Sequence, residues 1–168
     1  TLISCKEASE AKIHATQLNN FITVVLKEAR KEFSDIDAVA VSKGPGSYTG
    51  LRIGVAAAKG ICYALDKPLL SVNTLEAMAF NFLDSDSLSN ENKSPFLIIP
   101  MIDARRDEVY CAVFDNALKV LEATEAKILD TFSFTEYENR QAYFIGSGAM
   151  KAEKIIRNNP NFFFKPQH

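Results

Sequence analysis

Histidine and cysteine, the side chains that most often hold catalytic metals or form disulfides, are scarce in this chain of 168 residues. There are two histidines, His14 and His168, whereas a catalytic metal site uses about three protein ligands, often with two of them one helical turn apart. The three cysteines, Cys5, Cys62 and Cys111, are odd in number and widely spaced among apolar neighbours. That pattern is typical of reduced thiols, so we expect neither a metal site nor a disulfide framework.

Long hydrophobic runs and an excess of positive charge are also absent. No apolar segment approaches the about 20 residues that span a bilayer, and no charged start followed by an apolar stretch resembles a signal peptide. Lysine and arginine total 19 against 21 aspartate and glutamate residues, for a formal net charge of −2. We therefore expect a cytoplasmic protein without membrane contact, which does not bind nucleic acid tightly by itself.

The first half of the chain alternates helical and strand patterns. Apolar residues at three- and four-residue steps predict an amphipathic helix from about Ala11 to Phe33. A short apolar run from Ile36 to Val41 predicts a strand covered on both faces, as in a parallel sheet. The later elements predicted here are a helix over 51–65, a strand over 69–72 and a helix over 74–83. This order is typical of an α/β lobe, which we place at residues 1–83.

The second half begins with a polar stretch, 84–94, which we interpret as a linker and domain boundary. Two apolar strands joined by the polar turn 103–107 predict a hairpin, and the sequence Gly146-Ser147-Gly148 opens a last helix to about Arg157. The predicted strands are 96–102, 108–114, 118–121, 126–129 and 143–145. These elements predict a smaller α/β lobe over 84–168, in which three phenylalanines at 162–164 stand exposed unless further chain covers them.

A glycine-rich turn at 42–50 joins the predicted strand 36–41 to the predicted helix 51–65, and two interpretations of it stay open. Glycine permits positive φ and proline fixes one dihedral angle, so the turn serves backbone geometry. Alternatively, amide groups at the start of the following helix bind an anion, helped by the nearby Lys43 and Arg52. The candidate contacts are Gly44, Gly46, Ser47 and Arg52. The segment lacks the ending of a P-loop and the spacing of a dinucleotide fingerprint.

Candidate catalytic groups are few. Ser47 and Cys111 have no base nearby in the sequence, and His14 has no second histidine four residues later, so we interpret it as a structural or interface residue. We therefore assign no catalytic residue.

The turn at 103–107 contains the other candidate, a pair of carboxylates at Asp103 and Glu108. Arg105 and Arg106 lie between them, and we expect exposed ion pairs in the turn rather than an acid–base pair.

Three segments resemble, in order, the bacterial TsaB (YeaZ) family: VSKGPGSYTGLRIGVAAAKG at 41–60, NTLEAMA at 73–79 and IDARRDEVY at 102–110. The resemblance implies an actin, sugar kinase and Hsp70-like (ribonuclease H-like) fold of two lobes with mixed sheets. It also implies a non-catalytic subunit for making threonylcarbamoyladenosine on tRNA, which pairs with the catalytic protein TsaD and is joined by the ATPase TsaE. tRNA, ATP or ADP and a metal ion are implied for that complex, and no cofactor for this chain alone.

The chain departs from the family pattern in two places. The first strand with its Asp-Thr-Ser segment is absent, and the last helix is short. We therefore assign no nucleotide contact from the resemblance.

Two helical stripes predict a surface for pairing with the TsaD-like subunit or with a second copy. Small residues on one side of the second helix let another helix approach closely, and apolar residues of the first helix lie beside them. The candidate interface residues are His14, Leu18, Phe21, Ile22, Val25, Gly50, Gly54, Ala57, Ala58 and Ile61. The alternative is that both stripes pack on the sheet of this chain.

Two functional classes remain open. One is a scaffold or activator, and the other is an ATP-dependent enzyme of the sugar-kinase type or a metallopeptidase-like hydrolase. A kinase needs carboxylates that hold Mg²⁺ near the phosphates, and residues 44–54 contain neither Asp nor Glu. We favour the scaffold.

Overall fold

A computed structural model of the chain describes residues 1–8, 14–84 and 94–167. The chain divides into two compact units, Thr1–Val72 and Asn73–His168. This boundary lies one helix earlier than the predicted one, because the helix Thr74–Asp84 packs against strands of the second unit. Most of the predicted linker, residues 85–93, lies outside the described residues.

The first unit contains helix α1 (His14–Glu28), strand β1 (Val39–Gly44), helix α2 (Tyr48–Leu65) and strand β2, which runs from Leu69 to Asn73 at the boundary. Strands β1 and β2 are hydrogen-bonded neighbours in a two-stranded sheet. Helix α1 contacts α2, and α2 contacts β1.

Helix α1 ends earlier than predicted. Arg30 adopts a left-handed backbone (φ 54°), and the Lys31 amide donates to the Leu26 carbonyl at 2.9 Å, which closes the helix. Phe33 therefore lies in a separate short 3-10 turn, Phe33–Asp35. The spacing of apolar residues did not predict that α1 ends at Glu28, because residues 29–32 contain no glycine or proline that would mark the end of a helix.

Helix α2 begins three residues earlier than predicted because Ser47 caps it. The Ser47 hydroxyl accepts a hydrogen bond from the Gly50 amide at 3.3 Å, which satisfies a donor at the start of the helix. At the other end, Asp66 adopts a left-handed backbone (φ 51°) and its amide donates to Cys62.

The predicted strand 36–41 is wrong in its bounds and in its burial. Strand β1 runs from Val39 to Gly44, and half-buried and exposed residues alternate along most of it instead of being covered on both faces. Among the described residues of this unit, the buried ones are Gly44, Ala58 and Cys62. Leu70 of β2 is 53% exposed. This unit therefore carries much accessible apolar surface.

The second unit is built on a five-stranded mixed sheet of order β5-β4-β3-β6-β7. Its helices are α3 (Thr74–Asp84) and α4 (Ala149–Ile155). Its strands are β3 (Phe96–Asp103), β4 (Glu108–Asp115), β5 (Val120–Ile128), β6 (Gln141–Ile145) and β7 (Phe162–Lys165). The predicted hairpin is confirmed by the antiparallel pairing of β3 with β4, whereas β6 pairs parallel with both β3 and β7.

Each face of this sheet has its own core because side chains alternate along a strand. The core with α4 includes Leu97, Ile99, Met101, Phe144, Ala149 and Ala152. The core with α3 includes Phe96, Ile98, Ile145, Leu75, Ala79 and Phe82. Two cores around one mixed sheet confirm the predicted α/β class.

The two short strands predicted at 118–121 and 126–129 are wrong. They are one strand, β5, and Leu118 belongs to the preceding turn with a left-handed backbone (φ 60°). The Asp115 carboxylate fixes that turn by accepting from the Ala117 and Lys119 amides, each at 2.9 Å. The phenylalanines 162–164 form β7 beside β6, and Phe162 is buried.

Candidate functional site

The glycine-rich turn requires glycine at one position. Gly44 has φ +100° and is buried, and a Cβ added there would lie 3.0 Å from Cδ1 of Leu51. A Cβ on Gly46 would lie 3.9 Å from the same atom, an ordinary contact. Backbone geometry thus accounts for Gly44 and leaves Gly46 without a local packing reason.

Two of the candidate anion contacts, Ser47 and Arg52, already have partners at the start of α2. The Ser47 hydroxyl caps α2, and the Arg52 guanidinium donates to the Tyr48 hydroxyl at 3.3 Å. Arg52 also lies over the Tyr48 ring at 5.4 Å from its centroid. Anion binding by Gly44, Gly46, Ser47 and Arg52 stays a prediction, and a ligand that recruited Arg52 would compete with its contact to Tyr48.

The predicted pairing residues of α1 and α2 fall into three classes. His14 begins α1, and the placement of its side chain lies outside the described part. Eight residues are half-buried, namely Leu18, Phe21, Ile22, Val25, Gly50, Gly54, Ala57 and Ile61. Ala58 is buried, with 5% of its surface exposed, so it belongs to the interior of this chain. A Cβ on Gly54 would lie 3.9 Å from Val41 of β1, so Gly54 also faces the sheet.

Helix α2 has an exposed side that the sequence analysis missed. Tyr48, Arg52, Ala56, Lys59 and Tyr63 are exposed at three- and four-residue steps. Tyr63 is 92% exposed. The four-residue spacing from Tyr48 to Arg52 and from Lys59 to Tyr63 was the signal that could have identified this side.

The predicted ion pairs within the hairpin turn are wrong. Among the described residues, neither Arg105 nor Arg106 pairs with Asp103 or Glu108, and Asp103 instead pairs with Lys151 of α4 at 2.6 Å. The same ammonium group donates to the Glu108 carbonyl at 2.9 Å. The hydrogen bond from Lys151, followed by that from the Arg105 amide, lowers the pKa of the Asp103 carboxyl below its ordinary value. Asp103 is therefore a charged structural residue of the turn.

Two glycines in the loop after β6, Gly146 and Gly148, let this loop pass close to β3. A Cβ on Gly146 (φ +86°) would lie 2.6 Å from the Met101 carbonyl oxygen, and one on Gly148 would lie 2.8 Å from the Met101 Cβ. Between them, the Ser147 hydroxyl accepts from the Asp103 amide at 3.2 Å. Only glycine permits this close approach of the loop to β3.

The remaining candidate nucleophile is held in its neutral form. Cys111 is buried, and burial raises the pKa of its thiol to about 12, so little thiolate exists at neutral pH. No group of three or more histidine, cysteine, aspartate or glutamate side chains is placed to hold a metal ion in ranges 1–8, 14–84 and 94–167, and His168 lies outside them. No helix within the same ranges is both long and apolar enough to cross a membrane.

The family model described as TsaD, tRNA N6-adenosine threonylcarbamoyltransferase, matches residues 4–166. The chain is 29% identical over 151 residues to the tRNA threonylcarbamoyladenosine biosynthesis protein TsaB of Bacillus subtilis, covering 88% of this chain and 62% of that protein. It is 31% identical over 116 residues to TsaB of Escherichia coli, covering 67% and 47%. It is also 49% identical over 77 residues to the tRNA N6-adenosine threonylcarbamoyltransferase of Dictyoglomus turgidum, covering 45% and 23%. The chain thus spans less than two thirds of these relatives.

Two solved structures share the fold of this chain. YeaZ from Pseudomonas aeruginosa superimposes with a TM-score of 0.71 at 21% identity, covering 95% of this chain and 72% of that one. A second Pseudomonas aeruginosa structure, described as similar to peptidase YEAZ, gives a TM-score of 0.72 at 22% identity, covering 92% and 70%. The predicted actin and Hsp70-like fold class is confirmed. The chain belongs to the family described by the TsaD model, and within it to the TsaB (YeaZ) proteins.

Proposed function

We propose that this chain is a non-catalytic subunit in the formation of threonylcarbamoyladenosine on tRNA, and that it acts by pairing with a TsaD-like catalytic protein. The observation that carries the proposal is the similarity to TsaB of Bacillus subtilis over 88% of the chain. A TsaE-like ATPase then joins the assembly, and tRNA is held by the complex rather than by this chain. The same surface is the one through which two copies of this chain would pair in the absence of the partner.

The proposed pairing surface consists of the half-buried stripes of α1 and α2. Leu18, Phe21, Ile22 and Val25 are half-buried, so part of each apolar side chain is accessible to a partner. Ala57 is half-buried on the adjacent helix and adds little side-chain bulk, which lets a partner helix approach closely. Burial of this surface in a complex would offset the small interior of the first unit.

A non-catalytic role is supported by what the candidate reactive groups do in the chain. The Cys111 thiol is kept neutral by burial, and the Ser47 hydroxyl caps α2. ATP or ADP and a metal ion belong to the assembly in this proposal, since residues 44–54, which include the end of the glycine-rich turn and the start of α2, contain no carboxylate that could hold Mg²⁺. These residues therefore do not fit a complete metal–nucleotide site.

Reconstitution tests the proposal. The chain, a TsaD-like protein and a TsaE-like ATPase from one organism are combined with ATP, an activated threonylcarbamoyl donor and tRNA lacking the modification, and the modified nucleoside is quantified by mass spectrometry. We expect product only when this chain and the catalytic protein are both present. ATP turnover or peptide hydrolysis by the chain alone would instead support the sugar-kinase-like or peptidase-like alternative.

A further inference from the structure

The turn between β3 and β4 presents two adjacent arginines on an unusual backbone. Arg105 has φ 76° and Arg106 has φ 48°, in the left-handed region that glycine and asparagine adopt most readily. Two consecutive long side chains in this conformation need support from their surroundings. Strained positions that the surroundings hold in place are concentrated at functional sites.

That support comes from both ends of the turn. Lys151 bridges the Asp103 carboxylate and the Glu108 carbonyl, and Asp103 also accepts from the Arg105 amide at 2.7 Å. On the other side, the Leu129 amide donates to the Asp107 carbonyl at 2.8 Å. The backbone is therefore fixed before any ligand arrives.

The charge of the two arginines is left available by this arrangement. Asp103, the nearest acidic residue before them, is engaged by Lys151 and by a backbone amide. Arg105 and Arg106 are exposed, and within the described part of the chain neither forms an ion pair. Guanidinium groups bind carboxylates through two parallel hydrogen bonds, which suits them to recognise an acidic side chain.

The surface around the arginines fits a protein better than a nucleic acid. A pocket of about 550 Å³ is lined by Arg105, Arg106, Asp107, Glu108 and Ile128, among others. Ile128 is 74% exposed and offers an apolar contact. Asp107 and Glu108 would repel a chain of phosphates, whereas a protein segment with mixed charge and an apolar side chain can satisfy all of these groups.

We propose that this pocket, which we call the hairpin pocket, docks a segment of a partner protein that has mixed charge, with carboxylates on Arg105 and Arg106, a basic group beside Asp107 and an apolar side chain on Ile128. The inference rests on the proposed function for the source of the partner, a protein component of the same assembly. It adds a second contact surface, in a different unit of the chain from α1 and α2.

Binding measurements with three variants test the docking. Arg105→Glu/Arg106→Glu reverses the charges, and Ile128→Ser removes the apolar contact. Lys154→Glu/Arg157→Glu is the matched control, because it reverses two other exposed basic residues of the same unit. Each purified chain is titrated, at physiological salt, against the TsaD-like protein, against the TsaE-like ATPase and against the two together, by calorimetry. We expect the charge reversal to weaken one of these associations about tenfold or more, Ile128→Ser to weaken the same one, and the control to match the unmodified chain.

The outcomes separate this inference from the proposed function. If the unmodified chain binds neither protein, the proposed function fails. If it binds and both hairpin variants bind equally well, the hairpin pocket is not a docking site. The binding of tRNA to the complex is measured with each variant by filter retention, and a loss confined to tRNA binding would identify RNA as the occupant and overturn the proposal. Circular dichroism checks the fold of every variant, and Ile128→Ser supplies the decisive comparison if the charge reversal does not fold.

Discussion

The ammonium group of Lys151 donates a hydrogen bond of 2.6 Å to the carboxylate of Asp103, although the two residues lie 48 positions apart in the sequence. Through its second bond, to the Glu108 carbonyl, Lys151 also reaches the strand on the other side of the turn. One side chain of α4 thus joins the end of β3 to the start of β4. The hairpin turn consequently depends on a helix that lies much later in the sequence.

Replacement of Lys151 by methionine tests this dependence. The change keeps the aliphatic stem and removes an ion pair with a partly exposed carboxylate and a hydrogen bond to a carbonyl, so the free energy of unfolding should fall by about 1 kcal/mol. Urea denaturation measures it. Lys154→Met is the control, because Lys154 is exposed on the same helix and forms no ion pair within the described residues. Equal losses in both variants would show that the contact to Asp103 contributes nothing.

The same pair predicts a pH dependence. The pKa of Asp103 is lowered in the folded protein from an ordinary value of 3.8, so the folded state binds fewer protons than the unfolded state between the two values. Its contribution to stability is present above about pH 4 and disappears as the pH falls through the lowered pKa. The stability difference between the unmodified chain and Asp103→Asn should therefore be present at pH 7 and shrink below pH 4. A difference that is constant from pH 7 to pH 2 would contradict this.

Much of the second unit was predictable because its signals are local. The continuous apolar run from Phe96 to Ile102 predicted β3, and its pairing with β4 followed from the short polar turn between them. The errors arose where one side chain redirects the backbone. Asp115 fixes Leu118 in a turn rather than a strand, and Arg30 ends α1 without glycine.

The candidate site was harder to predict, because its contacts join distant parts of the sequence. The expectation for Asp103 used its neighbours Arg105 and Arg106, whereas its partner, Lys151, comes from another element. The burial of Ala58 was hard to predict for the same reason, because it depends on contacts with distant parts of the sequence. Helical spacing identifies the side of α2 on which it lies, but only the packing of the folded chain tells which side faces the interior.

Thiol reactivity distinguishes the three cysteines. Cys5 is exposed, whereas Cys62 and Cys111 are buried, and the pKa of Cys111 is raised to about 12. At pH 8, a chromogenic disulfide reagent should therefore modify one thiol rapidly in the folded chain and three after denaturation. Cys5→Ser should abolish the rapid phase. If a rapid phase persists in that variant, a second thiol is accessible and the burial of the other two is incorrect.

Three consecutive alanines of α2 provide a matched test of the pairing surface. Ala56 is exposed, Ala57 is half-buried and Ala58 is buried, so the same substitution by arginine samples three environments within one turn. Ala58→Arg forces a charge into the interior, which costs several kcal/mol, and it should lower Tm sharply or prevent folding. Ala57→Arg should leave the chain folded and block co-purification with the TsaD-like protein, because an unpaired charge in a dry interface is similarly costly. Ala56→Arg should affect neither property. If Ala56→Arg blocks pairing while Ala57→Arg does not, the partner binds the exposed side of α2 that contains Tyr48 and Tyr63, and the predicted stripe is not the interface.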